Sequence, residues 1–131
     1  MRIAIVLFSL IFVTACQNSE AQKGGVIGVS ETQSLIKTEN DLQIIDVRTP
    51  QEWAEGVIEG AKLLNFYDET FKQEVLETLD PNKPVLVYCR SGGRSGKTAQ
   101  LLKENGFTLV YDLKGGIGAW NKASGDLVAP R

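Results

Sequence analysis

The chain contains no histidine. A papain-like or caspase-like cysteine nucleophile relies on an imidazole base, so those classes are excluded at once. Cysteine is nearly as scarce, with Cys16 and Cys89 the only two in 131 residues. That spacing rules out a Cys-x-x-Cys redox pair. An excess of basic charge is also missing. Fourteen Lys and Arg stand against 16 Asp and Glu, for a net charge of −2, so there is no global positive field for nucleic acid. The longest apolar run has about ten residues, roughly half of what a membrane-spanning helix needs. Internal repeats and clusters with metal-ligand spacing are absent from the sequence. What remains is one domain's length of chain, 43% apolar and able to bury a single core.

The informative stretch runs from Pro84 to Ser95. Val85-Leu86-Val87-Tyr88 is continuously apolar, as in a strand covered on both faces of a parallel sheet. It ends on Cys89. Arg90-Ser91-Gly92-Gly93-Arg94-Ser95 follows, and then Gly96 to Asn105, which has helical composition and stops at Gly106. This places Cys89 at the carboxyl end of a strand and facing a helix N-terminus, where open α/β sheets bind ligands. A helix N-terminus and nearby arginines lower a cysteine pKa from its ordinary value of about 8.5. Gly92 and Gly93 let successive N–H groups turn inward as an anion nest. The plain alternative is a small buried apolar cysteine. Packing alone gives no reason for two arginines, two glycines and two serines beside it. Ser91 to Thr98 also misses the phosphate-loop pattern G-x-x-x-x-G-K-[ST] at only its first position. An NTPase needs in addition a metal-binding aspartate on another strand and room for a nucleotide, and nothing here clearly supplies either.

The loop resembles that of the rhodanese family. Asp46-Val-Arg48-Thr-Pro-Gln-Glu52-Trp53, continuing through Gly56 to Ala61, is similar to the family's first signature. Leu113-Lys-Gly115-Gly116-Ile-Gly-Ala-Trp120 is similar to its closing one. The three motifs together span roughly Gly28 to Trp120. Val57 stands where the family usually has histidine. The resemblance implies a rhodanese-like three-layer α/β fold, with a mostly parallel central sheet and helices on both faces. It implies sulfurtransfer without a cofactor or a metal. Cys89 would take a sulfane sulfur from thiosulfate or a similar donor, hold it as a persulfide, and give it to cyanide in an assay or to a thiol. Backbone N–H groups from Arg90 to Ser95 would hold the terminal sulfur. Arg90 and Arg94 would attract the donor's sulfonate, Arg94 in a bidentate grip, and the hydroxyls of Ser91 and Ser95 would add weaker donors. Asp46 and Arg48 are expected near this loop, tying two loops together by hydrogen bonds and an ion pair. Four residues separate Cys89 from Arg94. The related dual-specificity phosphatases have five, and by the resemblance the shorter loop suits sulfur. Two alternatives stay open: a non-catalytic persulfide-carrying or partner-binding module, and a Cys-dependent phosphatase.

Residues 1–15 read as a signal peptide, with Arg2, a short apolar run and small residues before Cys16. Val13-Thr14-Ala15-Cys16 resembles the bacterial lipobox, which implies a lipidated Cys16 and an extracytoplasmic protein anchored to a membrane. Residues 16–25 read as a lipidated cysteine and flexible tether, 26–123 as the domain, and 124–131 as a plain tail. Strands are expected at 26–29, 42–46, 62–65, 84–88 and 107–113. Capping-box patterns at Ser30–Gln33 and Thr49–Glu52 predict helix starts, and Asp68 is expected to cap a helix whose core stripe is Phe71, Val75, Leu76 and Leu79. A short final helix brings Trp120 onto the core.

Overall fold

The computed structural model describes residues 24–131. Five strands form one sheet: β1 (Gly25–Ile27), β2 (Gln43–Asp46), β3 (Lys62–Leu63), β4 (Val85–Tyr88) and β5 (Val110–Leu113). Their spatial order is β1-β5-β4-β2-β3, and every pairing between them is parallel. Parallel neighbours need crossovers. These are supplied by α1 (Val29–Thr38), α2 (Pro50–Trp53), α3 (Phe71–Thr78) and α4 (Gly93–Glu104), while α5 (Gly116–Lys122) follows the last strand.

The middle strand is β4, and all four of its residues are buried. Strand alternation sends Val85, Val87 and Cys89 to one face and Leu86 and Tyr88 to the other. On the first face they meet Phe71 and Val75 of α3 and Ala99 and Leu102 of α4. On the second they meet Ile117 and Trp120 of α5, with Leu35 and Ile36 of α1 alongside. Helices therefore cover both faces, and each fully buried aliphatic side chain here contributes about 1.5–3 kcal/mol. A strand fastened on both sides delivers the residue that follows it, Cys89, to a fixed position.

Several local expectations change. Helix α1 begins at Val29 with Gly28 as its cap residue, so Ser30 lies inside the first turn; the Thr32 hydroxyl donates back to the Gly28 carbonyl at 2.9 Å. Thr70 rather than Asp68 occupies the cap position of α3, without a side-chain cap bond, and the Asp68 carboxylate accepts from the Asn65 amide instead. Strand β5 starts at Val110. Phe107 is buried in the core ahead of it, its N–H bonded to the Leu102 carbonyl at 3.2 Å. The capping box of α2 forms as its sequence predicts: the Thr49 hydroxyl accepts from the Glu52 N–H, and the Glu52 carboxylate accepts from the Thr49 N–H.

The tail is more than a plain tail. Val128 and Val57 pair antiparallel through two 2.9 Å backbone hydrogen bonds, which fastens residues 127–128 to the stretch after α2. A single bridge of this kind needs no alternating pattern, so the sequence carries no signal for it. The signal-type run, Cys16 and the tether up to residue 23 lie outside the described residues.

Candidate active site

Helix α4 starts at Gly93, three residues earlier than its composition suggests, so Gly93, Arg94 and Ser95 form its first turn. Its cap residue, Gly92, has φ +115°, a conformation that only glycine adopts readily. The turn brings the Gly92 N–H to 3.1 Å from Cys89 Sγ. The Ser95 hydroxyl lies 3.5 Å from the same sulfur and donates to the Gly92 carbonyl at 3.2 Å. Cys89 and Ser95 are both buried, at 1% and 0% exposure. Burial pushes the thiol pKa up. The Ser95 hydroxyl and the N–H groups of Ser95, Gly92 and Ser91 outweigh it, and the net displacement is downward. The loop's dipoles thus favour the thiolate form of Cys89, with the Arg94 charge adding to them.

Two of the loop's carbonyls, those of Cys89 and Arg90, are taken up by α5. Ile117 and Gly118, in the first turn of α5, donate their N–H groups to the carbonyls of Cys89 and Arg90 at 2.9 and 3.1 Å. Gly116 makes this approach possible. A Cβ there would lie 2.4 Å from the Cys89 carbonyl oxygen, and its φ of +56° adds backbone strain for any other residue. The closing motif therefore holds the carbonyls of Cys89 and Arg90 against α5, while the Gly92 N–H turns to the sulfur.

Arg94 was expected to grip the donor. Both arms of its guanidinium are instead taken by Glu52, Nη1 to Oε2 and Nη2 to Oε1, each at 2.8 Å. That guanidinium holds the Glu52 carboxyl down at about 2, against burial and with help from Thr49. The aromatic face of Tyr67 lies 5.6 Å from Arg94 Cζ. Arg94 thus braces α2 against α4. On the loop, Arg90, Ser91 and Gly93 are exposed and Gly92 is half-buried.

Asp46 and Arg48 are paired, Nη2 to Oδ2 at 2.7 Å, and almost fully buried. Arg48 also donates to the carbonyls of Glu52 and Gly56 at 3.2 and 2.7 Å. This network fixes the β2–α2 connection and the exit from α2. Its link to the Cys89 loop is indirect, through Glu52 and through the Val47 N–H bonded to the Tyr88 carbonyl at 3.1 Å. Sequence reasoning missed Glu52 because the capping box already accounted for that residue. It also missed Tyr67, an exposed aromatic in an irregular segment, and Asp112 of β5. Asp112 is buried, its Oδ1 has no partner, and burial pushes its carboxyl up against the opposing influence of nearby Ser95 and the charge of Lys103.

The sequence and the fold have counterparts among known proteins. The family model for the rhodanese-like domain matches residues 29–123. The chain belongs to the rhodanese-like family. A sulfurtransferase of Allochromatium vinosum is 36% identical over 101 residues, covering 77% of this chain and 91% of that one. The uncharacterized protein YqhL of Bacillus subtilis is 41% identical over 78 residues, which span 60% of each chain. Among solved structures, a rhodanese-like domain protein from Staphylococcus aureus superposes with a TM-score of 0.68 at 30% identity, covering 82% of this chain and 99% of its own. Rhodanese-like relatives named as sulfurtransferases support a sulfurtransferase family for this domain.

Proposed function

We propose that this rhodanese-like chain moves a sulfane sulfur from thiosulfate or a similar donor to a thiophilic acceptor, cyanide in an assay and a thiol in the cell, through a persulfide on Cys89. One observation carries the reading: Cys89 Sγ, at the end of the central strand, receives the Gly92 N–H at 3.1 Å at the start of α4. The thiolate attacks the outer sulfur of the donor. An S–S bond forms at Cys89, the donor's S–S bond breaks, and sulfite leaves with its electron pair when thiosulfate is the donor. The terminal sulfur then sits where the N–H groups of the loop converge, and such preorganised donors contribute a few kcal/mol each. Cyanide or a thiolate removes that sulfur and regenerates the Cys89 thiolate. Arg90 meets the donor's anionic end, while Arg94 works through Glu52 to keep the first turn of α4 in place. We also propose that the domain works outside the cytoplasm on a lipid anchor at Cys16. This part rests on the sequence of residues 1–16 alone.

The test is turnover by the purified protein, thiosulfate and cyanide against an aryl phosphate. The reading expects thiocyanate production, lost in Cys89→Ser, with little or no phosphate release. Faster aryl-phosphate hydrolysis would reverse it in favour of a phosphatase. Persulfide formation with no turnover would favour a carrier that discharges only to its own partner.

A further inference from the structure

Asp112 has no part in the sulfur exchange derived above, yet it lies close to the nucleophile's supports. It belongs to β5 and pairs in register with Val87 of the central strand. Strand alternation gives it the same face of the sheet as Val110, Val87 and Cys89, the face that α4 covers. It is 8% exposed. Around it α4 presents Ser95, Gln100 and Lys103, and β1 presents Gly25 and Val26, bordering a cleft of about 200 Å³. A Cβ added at Gly96 would lie 3.7 Å from Oδ2, so that oxygen rests against the opening turns of α4. Oδ1 has no hydrogen-bond partner. Lys103 is exposed and, among the described residues, forms no ion pair with it.

Ser95 touches the nucleophile and neighbours this carboxyl. A hydroxyl has one proton to give and two lone pairs with which to accept. While Cys89 is a thiol, its S–H donates to Ser95 Oγ at 3.5 Å, and the Ser95 proton goes to the Gly92 carbonyl at 3.2 Å. Once the thiol ionises, the Ser95 proton turns to the sulfur and its oxygen loses the donor it had. A carboxylic acid at Asp112 supplies a replacement. A carboxylate there only accepts, and it draws the Ser95 proton away from the sulfur. Electrostatics select between the two forms. Two anions around one buried hydroxyl repel, so the cluster favours a single negative charge. The sulfur has the Gly92 N–H at 3.1 Å and the N-terminus of α4, whereas Asp112 has an unpartnered oxygen and a solvent-screened lysine. The charge belongs on sulfur and the proton on Asp112. Burial pushes the Asp112 carboxyl in the same sense.

We propose that Asp112 stays protonated while Cys89 is a thiolate or a persulfide, and acts through Ser95 as a positioning residue. Its carboxyl O–H donates to Ser95 Oγ, and the Ser95 O–H donates to the sulfur. Such chains strengthen each member, because each donor polarises the next. The Asp112 proton stays in place through loading and discharge, and no covalent bond to this residue forms or breaks. Its place in sulfur transfer rests on the reading of Cys89 given above.

Infrared spectroscopy and the pH dependence of Cys89 alkylation test this on the purified protein. At neutral pH the wild type should show the carbonyl stretch of a protonated carboxylic acid, missing from Asp112→Asn. In that variant an amide N–H replaces the acid O–H, so the thiolate midpoint and sulfur transfer should stay close to the wild type. Asp112→Leu keeps the bulk and removes the donor. It should raise the midpoint and slow alkylation at neutral pH by about threefold to tenfold, the value of one hydrogen bond. The same substitution should change nothing further once Ser95→Ala has removed the hydroxyl. No acid band in the wild type, or a midpoint lowered by about a unit or more in Asp112→Asn, would reveal a carboxylate and overturn the proposal. An equal effect of Asp112→Leu with and without the Ser95 hydroxyl would overturn it as well. If these results hold and no sulfur is transferred, the sulfurtransfer reading fails while the Asp112 role stands as a property of the thiolate.

Discussion

Cys89 has to ionise inside the protein without an imidazole beside it. Its burial opposes the charge, and fixed dipoles from Gly92, Ser91 and Ser95 favour it; the second effect wins. The Ser95 hydroxyl is the adjustable member of the set, because it can turn from the Gly92 carbonyl to the sulfur once the thiol proton leaves. The rate of Cys89 alkylation should therefore follow one ionisation below the roughly 8.5 of a free thiol. No further step near pH 6.5, the signature of an imidazole partner, should appear. Ser95→Ala should move the midpoint upward and slow alkylation at neutral pH by on the order of tenfold, the value of one lost hydrogen bond to a charged group. Arg94→Ala should also move it upward, because it removes a positive charge near the sulfur and strands the Glu52 carboxylate there. A wild-type midpoint at or above the free-thiol value would show that the loop does not activate Cys89.

At the scale of elements, the Cys89 loop and the first turn of α4 are held from two sides. Helix α5 ties the carbonyls of Cys89 and Arg90, and α2 ties Arg94 through Glu52. The capping boxes show how far local pattern carries. Thr49–Glu52 folds as its sequence reads, because Pro50 presets the first helical φ and Glu52 reaches back as the motif requires. Ser30–Gln33 has a similar pattern, yet α1 starts at Val29, where Thr32 serves the Gly28 carbonyl instead. The Glu52–Arg94 pair was invisible because it joins residues 42 positions apart. It also makes a pH prediction. The folded-state pKa of Glu52 is depressed from 4.5 to about 2, so its contribution to stability is present above pH 4.5 and disappears as the pH falls toward 2. At about 1.4 kcal/mol per unit the effect is at most about 3 kcal/mol, and solvent screening of this surface pair brings it nearer about 1 kcal/mol; denaturant titrations across that window measure it. Glu52→Gln should flatten this limb of the curve. Parallel loss of stability in wild type and variant would mean that other carboxylates govern it.

For the whole molecule, the alternation of apolar strand runs with helical segments is enough to give an α/β sheet, and the crossovers force its strands parallel. The strand order is not legible in that alternation. It depends on β1 crossing to the far edge beside β5, a pairing between residues 25–27 and 111–113. The loop that carries Cys89, Gly92 and Ser95 was legible because strand, glycine turn and helix are contiguous. Glu52, Tyr67 and the Val57–Val128 bridge were not, because each acts on residues distant in the chain. Residues 1–16 add a prediction for the full-length protein in a bacterial host. It should partition into detergent, and Cys16→Ser should release it or leave it misprocessed. Recovery of wild-type protein in the aqueous phase with residue 16 unmodified would exclude the anchor.

The central claim is that Cys89 accepts a single sulfur atom. Intact-mass measurement of the purified domain after incubation with thiosulfate, and in parallel with cysteine persulfide, tests it most directly. The expected product is heavier by one sulfur, returns to its starting mass on addition of cyanide, and fails to form in Cys89→Ser. A wild-type mass unchanged by either donor, or a gain that persists in Cys89→Ser, would contradict it.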